Sequence, residues 1–226
     1  MNILEIAVFN FKSALIAAGA GADRLELCDD YDTGGVTVKP DVLKKVRDAV
    51  YVPVFPIIRP RAGSFVYTDD EYEQIQQDVL LCKQLGFEGV VVGFLNDDNS
   101  IDVDKTQTIV ELASPLAVTF HRAFDTCINP LKSLEQIIQC GCKRILTSGQ
   151  QPSAIEGISL IEQLIDKAKN RIIIMPGGGV RANNIHSLLS TRAKEFHSAA
   201  LSNINHQLQI DVAEIAALKT ALKNVN

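Results

Sequence analysis

Apolar residues along the chain fall into two kinds of run that alternate from end to end. Short, nearly continuous stretches rich in β-branched residues, ILEIAV, RLELC, VPVFPIIR, GVVVGF, LAVTFH, RILTSG, RIIIMPG and KEFHSA, read as eight strands. Between them lie segments with apolar residues at i, i+3, i+4 and i+7. In the segment from Asp69 to Leu85, for example, Ile75, Val79, Cys82 and Leu85 form one helical stripe. Strands that are apolar on both faces must be covered on both, and regular alternation with helices makes the sheet parallel. Eight such units are the number that closes a barrel. The pattern therefore predicts an α/β fold, a single (β/α)8 TIM barrel spanning residues 1–226, with an open doubly wound sheet as the rival.

The turns favour the barrel. In AAGAGADRLEL, LCKQLGFEGVVV and QCGCKRILT a helix stops at Gly and a strand begins within a few residues, as a left-handed cap followed by a tight αβ turn requires. No Pro-, Ser- or Gly-rich linker divides the chain. LSNINHQLQI, with His206, reads as an irregular loop, and DVAEIAALKTALKN as the helix that completes the outer ring.

Composition narrows the partners. With 46% hydrophobic residues among 226, the chain can bury one large core. It carries 22 basic and 27 acidic residues, a net charge of -5, and no basic run, so a nucleic-acid partner is excluded and a small ligand expected. The start, MNILEIAVFNF, lacks the layout of a signal peptide, and no apolar run reaches the ~20 residues of a membrane span. Five irregularly spaced cysteines read as reduced thiols. A soluble cytoplasmic protein is the expectation.

In a parallel barrel the chemistry sits at the carboxyl ends of the strands. Strand one ends with Glu5 and strand two with Glu26 and Cys28. Strand three supplies Arg59 and Arg61, and strand five His121, Arg122 and Asp125. Strand six adds Thr147 and Ser148, strand seven Gly177, Gly178 and Gly179, and strand eight His197 and Ser198. Residues two apart share a face, so Thr119 and His121 point together, as do Glu26 and Cys28, Ile57 and Arg59, and Glu5 and Ala7. Two inward glutamates need partners, and Arg59, Arg61 and His121 are available. A structural ion-pair layer explains any one of these charges. The set points instead to a site, because barrel interiors are ordinarily filled with Val, Ile and Leu.

His121, with Arg122 and Asp125 close in sequence, is a candidate general acid or base. The three glycines precede a helix with Asn183 or Asn184 as N-cap, and their N–H groups suit an anion. Cys28 and Cys127 could reach the rim beside His121 and His197, a soft donor set for Cu(I) or Zn, although a buried thiol is commonly a small hydrophobe. Cys140 and Cys142 fall at the opposite end of the barrel.

The ordered set RLELC, IIRPRAGSFVYTDDE, VTFHRAFD, RILTSGQ, IMPGGGV and the histidine of EFHSA resembles the CutC family, described as copper homeostasis proteins, over nearly the whole chain. Glu5, Glu26, Arg59, Arg61, His121, Arg122, Asp125, Ser148 and His197 match the family's motif positions. The resemblance implies a cytosolic, homo-oligomeric barrel that binds copper, with Cu(I) on Cys28 helped by His121, His197 or Cys127. Two features depart from the family. Ala7 stands where relatives often carry a cysteine after the strand-one glutamate, and the segment before the last helix is short.

The residues read alone suggest an alternative, an enzyme of lyase, isomerase or hydrolase type acting on a small anionic or phosphorylated metabolite. Glu5, Glu26, His121 and Asp125 would carry the proton chemistry. Arg59, Arg61, Arg122, Ser148, Gly177, Gly178, Gly179 and His197 would bind the substrate.

Overall fold

The computed structural model describes residues 2–204 and 207–223. Every predicted barrel strand forms: β1 (Ile3–Val8), β2 (Arg24–Leu27), β3 (Val54–Pro56), β4 (Gly89–Val92), β5 (Ala117–Phe120), β6 (Arg144–Thr147), β7 (Ile173–Pro176) and β8 (Glu195–Ser198). They pair in parallel as β3-β2-β1-β8 and β4-β5-β6-β7. A parallel bridge from Ile57 to Val91 joins β3 to β4, and β7 packs beside β8 at the other seam.

The helices are α1 (Phe11–Gly19), α2 (Pro40–Ala49), α3 (Asp69–Leu85), α4 (Val103–Ala113), α5 (Pro130–Gln139), α6 (Ile158–Ala168), α7 (Ile185–Leu189) and α8 (Val212–Lys223). Helix α3 starts on a capping box in which Thr68 and Glu71 bond reciprocally, buries Ile75, Val79 and Cys82, and stops at Gly86 with φ +77°. Asn184 is the N-cap of α7, one of the two expected positions. Residues 201–210, expected as an irregular loop, instead contain an antiparallel hairpin of β9 (Leu201–Ile204) and β10 (Gln207–Ile210). Asn and Gln dominate this stretch and hide a two-residue alternation that buries Leu201 and Ile210. His206 lies outside the described residues.

The apolar core and the barrel lumen are separate. Residues of one parity, such as Leu4, Ile6, Leu25, Val90, Phe120 and Phe196, are fully buried in the main core with the inner faces of the helices. Inside the barrel Cys28, Phe55, Ile57 and Val91 form a small separate apolar cluster. Below it lies an ionic layer. Arg24 Nε donates to Glu5 at 2.5 Å and its terminal nitrogen pairs with Glu195, while Arg144 Nε reaches Glu195 at 3.0 Å. Both guanidiniums lie over the Phe55 ring, 5.0 and 5.1 Å from its centroid. Burying these charges is tolerable because each carboxylate meets a guanidinium.

Candidate functional site

Strand register builds the floor of the site. Glu5 stands opposite Arg24 on β2 and opposite His197 on β8, so its two cationic partners are its ladder neighbours. Arg59, Arg61 and His121, expected as partners of the inward glutamates, do not serve Glu5. Burial by itself would raise the Glu5 carboxyl, but the Arg24 charge and the His197 hydrogen bond outweigh it and hold Glu5 at about 2. The ionised carboxylate therefore accepts the Nδ1–H of His197 at 2.7 Å, leaving His197 Nε2 3.8 Å from Glu26 Oε2. Burial, reinforced by the Glu5 charge, raises the Glu26 carboxyl. Burial would lower His197, yet Glu26 and Glu5 outweigh it and raise its affinity for a proton. Cys28 Sγ donates to Glu26 Oε2 at 3.3 Å, and burial followed by the Glu26 charge pushes the thiol well above its ordinary range.

Above this floor a cavity of about 280 Å³ opens at the carboxyl ends of the strands. Glu26, Cys28, Arg59, His121 and His197 line it, with Arg122 at its mouth. Glu5 lies beneath, with no exposed surface.

His121 ends β5, where the Ala123 N–H donates to its Nδ1 at 3.1 Å. Burial first, and the Arg59 charge second, lower its pKa to about 3, so the ring is neutral. Its proton then sits on Nε2, which is buried and finds no acceptor among the described residues. Gly93 at the end of β4 makes room for it, since a Cβ there would lie 2.4 Å from His121 Cε1. Arg59 is fixed by the carbonyls of Thr33, Gly35 and Gly63 at 2.9, 2.9 and 3.1 Å and stacks on Phe65 at 4.9 Å.

Asp125 faces the β6 loop. It accepts from Thr147 Oγ1 at 2.5 Å, from Ser148 N at 3.0 Å, and from Arg122 Nε at 2.7 Å. Ser148 Oγ receives Arg122 at 2.8 Å. Asp125 and Ser148 do not line the cavity; they aim Arg122 at it.

The glycine run leaves N–H groups free one residue later than expected. Gly177 N–H is taken by the Thr147 carbonyl at 2.9 Å. The N–H groups of Gly178, Gly179 and Val180 find no acceptor among the described residues, and all three residues line the cavity. Gly178 has φ +100°, and a Cβ on it would come 3.1 Å from Ser148 Cβ and 3.4 Å from Arg122 Cζ. Three consecutive free N–H groups beside a guanidinium are chemically suited to an anion.

Arg61 is not brought to this site. Its guanidinium pairs with Glu71 at 2.5 Å and caps the carbonyls of Ser64 and Val66, clamping the loop ahead of α3. Alternation points Arg59 inward and would do the same for Arg61, but Pro60 ends the strand geometry between them. Arg181, Phe65 and Tyr31 line the cavity without having been singled out in the sequence. Arg181 follows the glycine run directly, which was a usable signal. Phe65 lies in a loop and Tyr31 opens a single 3-10 turn (Tyr31–Thr33), with no periodicity to mark either.

The donor set bears on metal. Glu5, Glu26 and His197 offer ligand atoms within 4.8 Å of one another, a hard, oxygen-rich group. Soft donors are sparse. Cys28 is the thiol that lines the cavity, and it is hydrogen-bonded to a carboxylate. Ala7 presents a methyl group on the neighbouring strand, and Cys127 sits under Gln150 Nε2 at 3.6 Å, away from the lining. Cys28 is thus one thiol beside a carboxylate, with His121 and His197 as the nitrogen donors of the same lining.

Residues 2–202 match the family model described as the CutC family. A CutC family protein of Proteus mirabilis is 49% identical over 200 residues, covering 88% of this chain and 80% of that protein. One from Salmonella schwarzengrund is 46% identical with the same coverage. The crystal structure of a Streptococcus agalactiae CutC, named for copper homeostasis, superposes with a TM-score of 0.83 at 33% identity, over 88% of this chain and 99% of that one. Thiamine phosphate pyrophosphorylase of Pyrococcus furiosus (TM-score 0.67, 12% identity, 98% of this chain and 95% of that one) shares the barrel fold alone. The family match ends inside β9, and the hairpin and α8 complete the chain beyond it.

Proposed function

The chain belongs to the CutC family, and from that premise we propose that it is an acid/base enzyme acting on a small phosphorylated or similarly anionic compound. One observation carries the reading: Gly178, Gly179 and Val180, whose N–H groups have no acceptor among the described residues, line with Arg122 the cavity that Glu26 and His197 also line. The anion is received by the three N–H groups and Arg122, with Arg181 at the same rim. Glu26 and His197 move the proton, because both face the cavity and both have raised proton affinity. Glu5 and Asp125 are positioning residues, the first for His197 and the second for Arg122.

A second reading is Cu(I) capture on Cys28, favoured by the thiol's place in the lining. The carboxylates beside that thiol and the methyl group of Ala7 weigh against it. A cytosolic setting is supported by five free cysteines, all buried. No helix among the described residues is long and apolar enough to cross a membrane. A homo-oligomer is supported by Leu15, Leu208 and Val212, large apolar side chains left exposed on α1, β10 and the start of α8.

Two titrations separate the readings. Calorimetry with inorganic phosphate should give saturable binding that Arg122→Gln weakens about tenfold or more. Titration of reduced protein with Cu(I) against a competing chelator should show weak binding that Cys28→Ser leaves unchanged. Tight stoichiometric Cu(I) binding lost in Cys28→Ser, with no phosphate binding, would replace the enzyme reading with the copper one.

A further inference from the structure

His121 has no task in that scheme. It is 4% exposed, it lines the cavity, and its Nδ1 already holds the lone pair that receives the Ala123 N–H. It is therefore no base. What it offers is a single buried Nε2–H donor without an acceptor, a costly arrangement that a bound ligand would complete. The ring is held in place by Gly93, whose missing Cβ it occupies, and by Phe65, 4.9 Å away between ring centroids. Arg59 stacks on the same Phe65 ring and carries a second buried donor without an acceptor, Nε. His121 and Arg59 thus both line the cavity that Glu26 lines, Arg59 after the strand next to that of Glu26 and His121 three strands round the barrel from it.

Donors fixed in this way stabilise an oxygen on which negative charge develops, while a carboxylate in the same cavity can take a proton from carbon. We propose that the substrate is an anionic carbonyl compound whose C=O oxygen is received by His121 Nε2–H and Arg59 Nε–H, and that Glu26 removes the proton from the adjacent carbon. The C–H electron pair becomes the C=C bond of an enolate, and the carbonyl π pair moves onto the oxygen held by His121 and Arg59. Glu26 or His197 then returns the proton to the same carbon or, where that carbon bears a hydroxyl whose own proton passes to the oxygen held by His121 and Arg59, to the former carbonyl carbon, so the step is redox-neutral and needs no co-reactant. The class is enolisation or isomerisation of a small phosphorylated aldehyde or ketone. This assignment rests on the anion cradle of the preceding section.

The test compares inorganic phosphate with 2-phosphoglycolate, whose carboxylate mimics the enolate at a short distance from a phosphate. On wild-type protein 2-phosphoglycolate should bind at least about tenfold more tightly than phosphate. In His121→Asn the amide Oδ1 takes over the Ala123 N–H and no atom reaches the Nε2 position, so the preference should fall to about onefold. Should that variant fail to fold, ¹⁵N spectra of the wild-type imidazoles decide: the His121 Nε2 resonance should move with 2-phosphoglycolate and stay with phosphate. Phosphate binding with no carboxylate preference and an unmoved Nε2 would overturn the carbonyl assignment and leave the anion cradle standing. Binding of neither compound would overturn both.

Discussion

The neutral, buried state of His121 makes a quantitative demand on acid stability. In the unfolded chain its imidazole titrates near 6.5, whereas in the folded protein burial and Arg59 lower it to about 3. Between those values the unfolded state binds one more proton than the folded state at this residue, so this contribution to stability is complete above pH 6.5 and is lost as pH falls toward 3. The slope is about 1.4 kcal/mol per pH unit, which amounts to about 3 kcal/mol between pH 6.5 and 4.5. Gly93, Ala123, Phe65 and Phe120 surround the ring, and Arg59 is the charged group that acts on it. His121→Asn keeps the acceptor for Ala123 and removes the titration. Contributions from Glu5 and His197 are common to both proteins and cancel in the difference. Urea unfolding of both at pH 7, 6, 5 and 4.5 should show the wild type losing about 3 kcal/mol more than the variant over the acid limb. Parallel profiles, within about 0.5 kcal/mol of one another, would show that His121 is not a buried neutral imidazole and would remove the donor from the site.

Two further substitutions test the surrounding architecture. Arg24→Ala leaves Glu5 and Glu195 buried without their shared guanidinium, and should cost about 3–5 kcal/mol in chemical unfolding; a loss under about 1 kcal/mol would mean that the ionic layer is hydrated rather than buried. Arg61→Ala removes a half-exposed pair with Glu71 and should cost about 1 kcal/mol or less, a melting shift of a few degrees. It should leave phosphate affinity unchanged, and a tenfold weakening there would put Arg61 back in the site.

The barrel was legible because its strands and helices differ in apolar period, and glycine stops marked three of the turns, after α1, α3 and α5, where a helix hands over to a strand. The hairpin of residues 201–210 was not, since two alternating strands of Asn, Gln and Leu carry little hydrophobic signal. Within the site, reading strand ends recovered Glu26, Arg59, His121 and His197, which line the cavity together. It missed Arg24, Arg144 and Glu195 because they begin their strands rather than end them, although Arg24 shares alternation with Glu26 and Glu195 with His197. As a result the partners of Glu5 were sought above it, at Arg59 and His121, when they stand beside it in the ladder at Arg24 and His197. The glycine run lies at the cavity rim as read, but the hydrogen bond from Gly177 to Thr147 leaves Gly178, Gly179 and Val180 as the residues with free N–H groups. Arg61 was misassigned because local alternation cannot see Glu71, which a capping box brings back against it.

On the proposed function, the loop after β7 holds an anion through its own backbone. Amide ¹H–¹⁵N spectra recorded while inorganic phosphate is added test it most directly. The Gly178, Gly179 and Val180 amides should move together and saturate, with the Arg122 Nε–H following them. Amides that stay in place at phosphate concentrations where exposed lysines begin to respond would contradict it.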